Sequence, residues 1–253
     1  MSNVSVRNLW MEYPGQVVLE RINLEIASGE FCVLLGPSGC GKTTFLRMLL
    51  SMECPTRGEI LLDGAPLPAE PGPDRGVVFQ RYSVFPHLTV IENVILGLEF
   101  AGAPILGKLF GAARRRAIEE AERLIDAVGL GASRNKYAAQ LSGGMQQRLA
   151  IAQTLVRKPK LLLLDEPFGA LDPGTKVQMY ELITRLWREE KITVFMVTHD
   201  LKEGFTLATR VLTFDKVRID PTEPGAYGAT ITYNLPLTRK AAGGGLPLAL
   251  VRG

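Results

Sequence analysis

The stretch Gly36-Pro-Ser-Gly-Cys-Gly-Lys-Thr-Thr44 constrains this chain more than any other part of it. Before it, Glu30-Phe-Cys-Val-Leu-Leu35 reads as a buried strand; after it, Thr43-Thr-Phe-Leu-Arg-Met-Leu-Leu50 reads as a helix with a largely apolar face. A strand, a glycine-rich turn and a helix in that order form a phosphate-binding loop. Gly36, Gly39 and Gly41 let the backbone curl so that successive N–H groups point inward, and the helix N-terminus adds its positive dipole end. Pro37, Ser38, Cys40 and Thr44 complete the loop. Lys42 supplies a mobile charge for the outer phosphates, and the Thr43 hydroxyl is the natural Mg²⁺ ligand. The pattern arises by chance in roughly one or two per cent of chains this long, so the strand and helix on either side decide the reading.

Around this loop the chain organises in order. Residues 3 to 12 and 17 to 26 alternate in strand-like runs about the turn Tyr13-Pro-Gly15, which suggests an antiparallel layer. Tyr13 on that turn either packs or offers its ring face to a nucleobase. Thr56 to Gly64 reads as turn, strand and turn, and Pro66 to Pro73 as a surface loop. Arg75 to Gln80 reads as a short buried strand ending in an amide that is either a satisfied edge residue or a ligand of metal and water. From Leu88 to about Pro159 the pattern turns helical; Ile118, Ala121, Leu124, Ile125 and Val128 share one face, and Glu119 and Arg123 have the favourable i,i+4 order. Leu141-Ser-Gly-Gly-Met-Gln-Gln-Arg148 then opens another helix. Ser142 is a good N-cap there, and Gly143 and Gly144 expose a second anion site made of backbone N–H groups. Lys160-Leu-Leu-Leu-Leu-Asp-Glu-Pro167 is an apolar strand ending in two carboxylates: Asp165 can hold Mg²⁺ through its water shell, and Glu166 can polarise an attacking water. Asp172 lies in the following turn before a helix from about Gly174 to Glu190. His199, after the β-rich run 192 to 197, is either structural or a contact to a terminal phosphate. Val211 to Phe214 reads as the last core strand.

Composition adds limits. Charged residues are 22% against 46% hydrophobic, a globular balance, and a net charge of +3 is too small to indicate nucleic acid. The three cysteines have no metal spacing and read as free thiols; alkylation of Cys40, inside the loop, is expected to block nucleotide binding. No run approaches the ~20 apolar residues needed to cross a bilayer, and residues 1 to 8 have no signal core. The expectation is a cytosolic chain, or one attached to a membrane through a partner.

At Leu141 to Arg148 the motifs, taken in order, resemble the nucleotide-binding subunit of an ATP-binding cassette (ABC) transporter, over roughly residues 3 to 215. The Walker A loop falls at Gly36 to Thr43, the Q-loop glutamine at Gln80, the signature at Leu141 to Met145, Walker B at Leu161 to Asp165 with catalytic Glu166, the D-loop at Ala170 to Asp172 and the switch histidine at His199. The resemblance implies an α/β fold with a P-loop NTPase (RecA-like) core, an N-terminal antiparallel β layer and an inserted α-helical subdomain. It implies residues 1–87 and 159–215 as the ATP-binding core, 88–158 as the helical subdomain, and 216–253 as a C-terminal extension with a flexible tail. Two cassettes would pair head to tail, with Ser142 and Gly144 of one closing on the γ-phosphate held by Lys42 of the other. Tyr13 matches the adenine-stacking aromatic, Gln80 joins Thr43 and Asp165 at Mg²⁺, and Gln80 with the following Arg81 to Leu98 matches the region that receives the coupling helices of a membrane permease.

ATP and Mg²⁺ are therefore the implied ligands, and the cytoplasmic face of a bacterial membrane the implied location. LSGGMQQR, DEPFGALD and the single-cassette length resemble importers of nitrate, sulfonate or taurine, which work with a solute-binding protein. An exporter cassette is the rival reading; a soluble DNA-acting ABC protein would carry a long coiled coil, and a nucleotide kinase gives no reason for the signature. The chain departs from the family at Ser51-Met52, where Gly-Leu is usual, and in the Pro-rich, β-prone stretch Lys216 to Leu237.

Overall fold

The computed structural model describes residues 2–79, 84–102 and 108–237. The chain opens with a hairpin, β1 (Val4–Tyr13) and β2 (Gln16–Ile26), and continues through β3 (Phe31–Leu35) into α1 (Lys42–Leu49). Then come β4 (Arg57–Leu62), β5 (Ala65–Pro66) and β6 (Arg75–Val78), followed by α2 (Val90–Gly102), α3 (Gly111–Ala127) and α4 (Gly143–Leu155). The last third alternates β7 (Leu161–Asp165), α5 (Pro173–Glu190), β8 (Thr193–Val197), α6 (Leu201–Leu207), β9 (Arg210–Asp215) and β10 (Thr230–Pro236).

These strands form two sheets. One is antiparallel, in the order β2-β1-β4-β5; the other has the order β10-β9-β3-β8-β7-β6 and is parallel except for β10. In β2, Ile22, Leu24 and Ile26 are buried while Arg21, Asn23 and Glu25 face out, as expected for a sheet packed on one side. In the parallel sheet both faces are covered, so β3, β7 and β8 read as continuous apolar runs. Their alternation still decides which core each residue serves. Leu34, Leu161, Leu163 and Phe195 face α1 and the antiparallel layer, where Phe45 meets Phe195 and Phe214 at 6.3 and 5.5 Å. Val33, Leu162, Leu164, Val194 and Met196 face the opposite way, into a cluster shared with α2, α3, α4 and α5.

Two details differ from what the sequence suggests. Arg123 pairs with Glu120 at 3.0 Å and with Glu190 of α5 at 3.1 Å rather than with Glu119, because α5 brings a carboxylate to that side of α3. Ile118 is only half-buried, and Ala117 takes the inward position beside Ala121. Val211 to Phe214 lies in β9, the last strand with buried residues, and the more exposed β10, from the β-prone stretch Lys216 to Leu237, pairs antiparallel along its open edge.

Candidate functional site

The phosphate loop leaves the C-terminal end of β3 and enters α1. Gly36 has φ +150°, and a Cβ there would meet the Phe214 carbonyl oxygen at 2.2 Å, so β9 presses directly on the loop backbone. Gly41, at φ +85°, is the N-cap of α1, and a Cβ there would meet Leu19 of β2 at 2.7 Å. Glycine is required at both places, and the N-cap consequently has no side chain to satisfy the first amides of α1. That helix start is thereby kept for an anion. Pro37, Ser38, Gly39 and Thr43 are exposed, Thr44 is half-buried, and Cys40 and Lys42 are buried. Lys42 Nζ donates to the carbonyls of Gly36 and Pro37 at 2.8 and 2.7 Å and lies 3.5 Å from Cys40 Sγ. The thiol is therefore reachable by a reagent only when the loop opens, which qualifies the expectation of direct alkylation.

Strand β8 lies between β3 and β7, so the ends of the three strands form a row. Across that row the Thr43 hydroxyl donates to Asp165 Oδ1 at 3.3 Å. Burial pushes the Asp165 carboxyl above the usual aspartate range; the Thr43 hydrogen bond opposes the shift and the neighbouring Glu166 charge adds to it. Hydroxyl and carboxylate oxygens side by side are hard donors suited to Mg²⁺. Glu166 takes φ +45°, an uncommon conformation for a residue with a side chain, held by its N–H donating to Val197 O at 3.0 Å and its carbonyl accepting from Gly169 N at 3.3 Å. The turn aims its carboxylate at His199, with Nδ1 and Oε1 3.5 Å apart, and the imidazole is largely exposed.

Tyr13 ends β1 and is exposed. Its hydroxyl donates to Glu53 Oε2 at 2.7 Å, while Arg47 of α1 donates to Glu53 Oε1 at 3.1 Å, so Glu53 ties the hairpin tyrosine to the loop helix. The Glu53 hydrogen bond is the main reason the phenol is pushed above its ordinary pKa. Gln80 lies outside the described residues.

The remaining candidates form a separate group. Ser142 caps α4, accepting from Met145 N at 3.4 Å, and Asp172 caps α5, accepting from Thr175 N at 3.0 Å and Thr175 Oγ1 at 2.6 Å. Those bonds, the Thr175 hydroxyl first, hold the Asp172 carboxyl below the usual range. Ser142, Gly143, Gly144 and Asp172 line one groove of about 430 Å³ together with Arg148 and Gln178, and no phosphate-loop residue contributes to its wall. A second groove, of about 470 Å³, lies between β6, α2 and α4, with Met52, Phe79, Phe85, Leu96 and Arg157 on its sides.

Sequence reasoning misses Glu53, whose partners come together only in the fold, and Gln147. The Gln147 side chain is fully buried on α4, donates to the Pro167 carbonyl just after Glu166, and leaves its own Oε1 without a partner among the described residues. No local signal singles it out, because it lies between Gln146 and Arg148 in a polar run.

The sequence profile described as ABC transporter matches residues 19–169. The chain is 43% identical over 209 residues to the taurine import ATP-binding protein TauB of Yersinia pestis, covering 83% of this chain and 78% of that one. It is 42% identical over 243 residues to the bicarbonate transport ATP-binding protein CmpC of Synechococcus elongatus, covering 94% of this chain and 34% of the longer relative. A solved dimeric bacterial ABC transporter cassette superposes with a TM-score of 0.73 at 29% identity, covering 94% of this chain and all of that one.

Proposed function

The chain belongs to the ABC transporter family as an ATP-binding, ATP-hydrolysing subunit, and from that premise we propose which residues work at its ATP site and what it helps to move. One observation carries the reading: the groove of Ser142, Gly144 and Asp172 shares no wall with the phosphate loop. A chain with a phosphate-binding loop and a separate second anion groove holds half of each of two sites. Head-to-tail pairing of two cassettes completes both, and the likeness to a dimeric cassette supports it.

In this reading Lys42 leaves the Gly36 and Pro37 carbonyls for the outer phosphates of ATP, with the backbone N–H groups of residues 38–44 around them. Tyr13 stacks on adenine, held in place by Glu53. Thr43 and Asp165 hold Mg²⁺, with Gln80 as a further ligand; the metal supplies charge neutralisation at the phosphates. A carboxylate destabilised by burial, as Asp165 is, gains most from a cation beside it. Glu166 orients and deprotonates the attacking water, and His199 contacts the γ-phosphate. Ser142, Gly143, Gly144 and Asp172 close on the partner's nucleotide. Closure is favoured by charge-assisted contacts from both subunits and is reversed when hydrolysis removes them.

Residues 88–158 serve as the helical subdomain, and the groove between β6, α2 and α4 receives a membrane permease, which holds the cassette at the cytoplasmic face. The relatives named for taurine and bicarbonate support import of a small anionic or zwitterionic solute, nitrate, sulfonate or taurine in type, delivered by a solute-binding protein. The test is affinity purification of the Glu166→Gln chain with ATP from detergent-solubilised cells. A multi-span membrane protein and a solute-binding protein are expected with it. Recovery only with ribosomes, DNA or soluble enzymes would overturn the transport reading.

A further inference from the structure

Glu203, in the first turn of α6, is buried and none of the steps above uses it. Its carboxylate receives three donors from two directions. Oε2 accepts from Thr198 Oγ1 at 2.5 Å; Oε1 accepts from Lys176 Nζ at 2.9 Å and from the Tyr180 hydroxyl at 3.2 Å. Thr198 immediately precedes His199, and its hydroxyl oxygen also accepts from Asp200 N at 3.1 Å, so the backbone on both sides of the histidine is anchored to one side chain. Lys176 and Tyr180 belong to α5. The Lys176 N–H donates to the carbonyl of Asp172, and the Tyr180 ring packs edge-on against Phe168, two residues beyond Glu166, with centroids 5.1 Å apart. Burial and the Glu203 charge push the Tyr180 phenol well above its ordinary pKa, which keeps its hydroxyl a donor.

A buried carboxylate is costly unless its acceptor sites are filled and its charge is paired, and a well-packed apolar trio would hold α5 against α6 equally well. What the ionic arrangement adds is registry: three directional bonds allow one relative placement of the His199 turn and the Asp172 helix. We propose that Glu203 is a positioning residue that locks the turn carrying His199 to the helix capped by Asp172, so that the two are set for hydrolysis together. The inference rests on the reading of His199 as the γ-phosphate contact.

The test is ATPase kinetics on the full chain for Glu203→Gln, His199→Ala and the double variant, with thermal unfolding of each. Glu203→Gln is expected to lower kcat by about tenfold while the KM for ATP stays within about twofold, and to have almost no further effect on kcat when His199 is already alanine. Should Glu203→Gln fail to fold, Thr198→Val removes the same link from the other side and is expected to show the same loss of kcat and the same non-additivity. Equal losses in both backgrounds, or a lowered melting temperature with kcat unchanged, would overturn the inference while leaving His199 in its role. An unimpaired His199→Ala enzyme would instead remove the histidine reading, and this inference with it.

Discussion

Ser51, the residue after the Leu50 C-cap of α1, has φ +58°, a left-handed conformation that costs a residue with a side chain roughly 1–2 kcal/mol. Glycine would take it freely, yet the serine hydroxyl accepts from Arg75 Nη1 at 2.5 Å, and the Arg75 side chain is fully buried. Ser51→Gly therefore relieves the backbone and strips a buried guanidinium N–H of its acceptor, a loss of about 1–3 kcal/mol and larger for charged groups. The net expected is a destabilisation of about 1 kcal/mol, read as a fall of about 2–4 °C in melting temperature; a rise would mean that strain dominates. At the same scale, Glu166→Gln is expected to bind ATP normally in equilibrium titration while turnover falls about 10²–10⁴-fold. Retained turnover would take Glu166 out of the base role. Residues whose job is done by contiguous backbone, Gly36 to Thr44 and Ser142 to Gly144, are legible in the sequence, because a local spacing encodes the loop shape. Glu53 and Glu203 are not, because nothing local marks a carboxylate whose donors come from other elements.

Helix α2 begins with a reciprocal cap in which Thr89 N and Oγ1 donate to Glu92 Oε2 at 2.8 and 2.7 Å, and Glu92 N donates back to Thr89 Oγ1 at 3.3 Å. Thr89→Ala is expected to cost about 1 kcal/mol in chemical denaturation. The Thr89 bonds hold the Glu92 carboxyl below its ordinary 4.5, so in this pH range the unfolded chain binds the extra proton. The stability Glu92 contributes is thus complete above about 4.5 and is lost as pH falls through the lower folded value. The gap in stability between wild type and Glu92→Gln is expected to close in that acid window; a gap that is constant with pH would argue against the cap. Elements with a buried periodic face, such as α3, are visible from the sequence to within a few residues. Strand β10 shows only as part of a β-prone stretch without bounds, since most of it is exposed and no buried alternation marks it. Its register comes instead from the edge of β9 and from polar pairs, Thr213 with Thr232 and Arg210 with Asn234.

Across the whole molecule, the C-terminal extension joins the two sheets. Val17 N donates to Gly225 O and Ala229 N to Val18 O, at 2.8 and 2.9 Å, before the chain turns into β10. Arg218 secures the crossing: it donates to buried Glu20 at 2.6 Å and lies over the Tyr227 ring, 4.2 Å from its centroid. Arg218→Ala leaves Glu20 buried beside only the Gly228 N–H, 3.4 Å away. Arg218 is itself partly exposed, so the cost is set below that of a fully buried pair, at about 2 kcal/mol. It should appear as a lower urea midpoint at unchanged m. Because Leu19 of the same strand backs Gly41, the KM for ATP is expected to rise more than kcat falls. The apolar cluster on the other side of the parallel sheet carries a different consequence. It runs without interruption from Val94 of α2 through Leu124 and Ile151 to Val33 and Met196 of the sheet. A body joined in that way has no dry seam to open, so the helices cannot swing on a hinge without wetting the cluster. They can slide, side chain over side chain, by shear in steps of about 1–2 Å. Force applied at the α2 groove would then reach the strand ends at the phosphate loop as a small change of registry between packed layers.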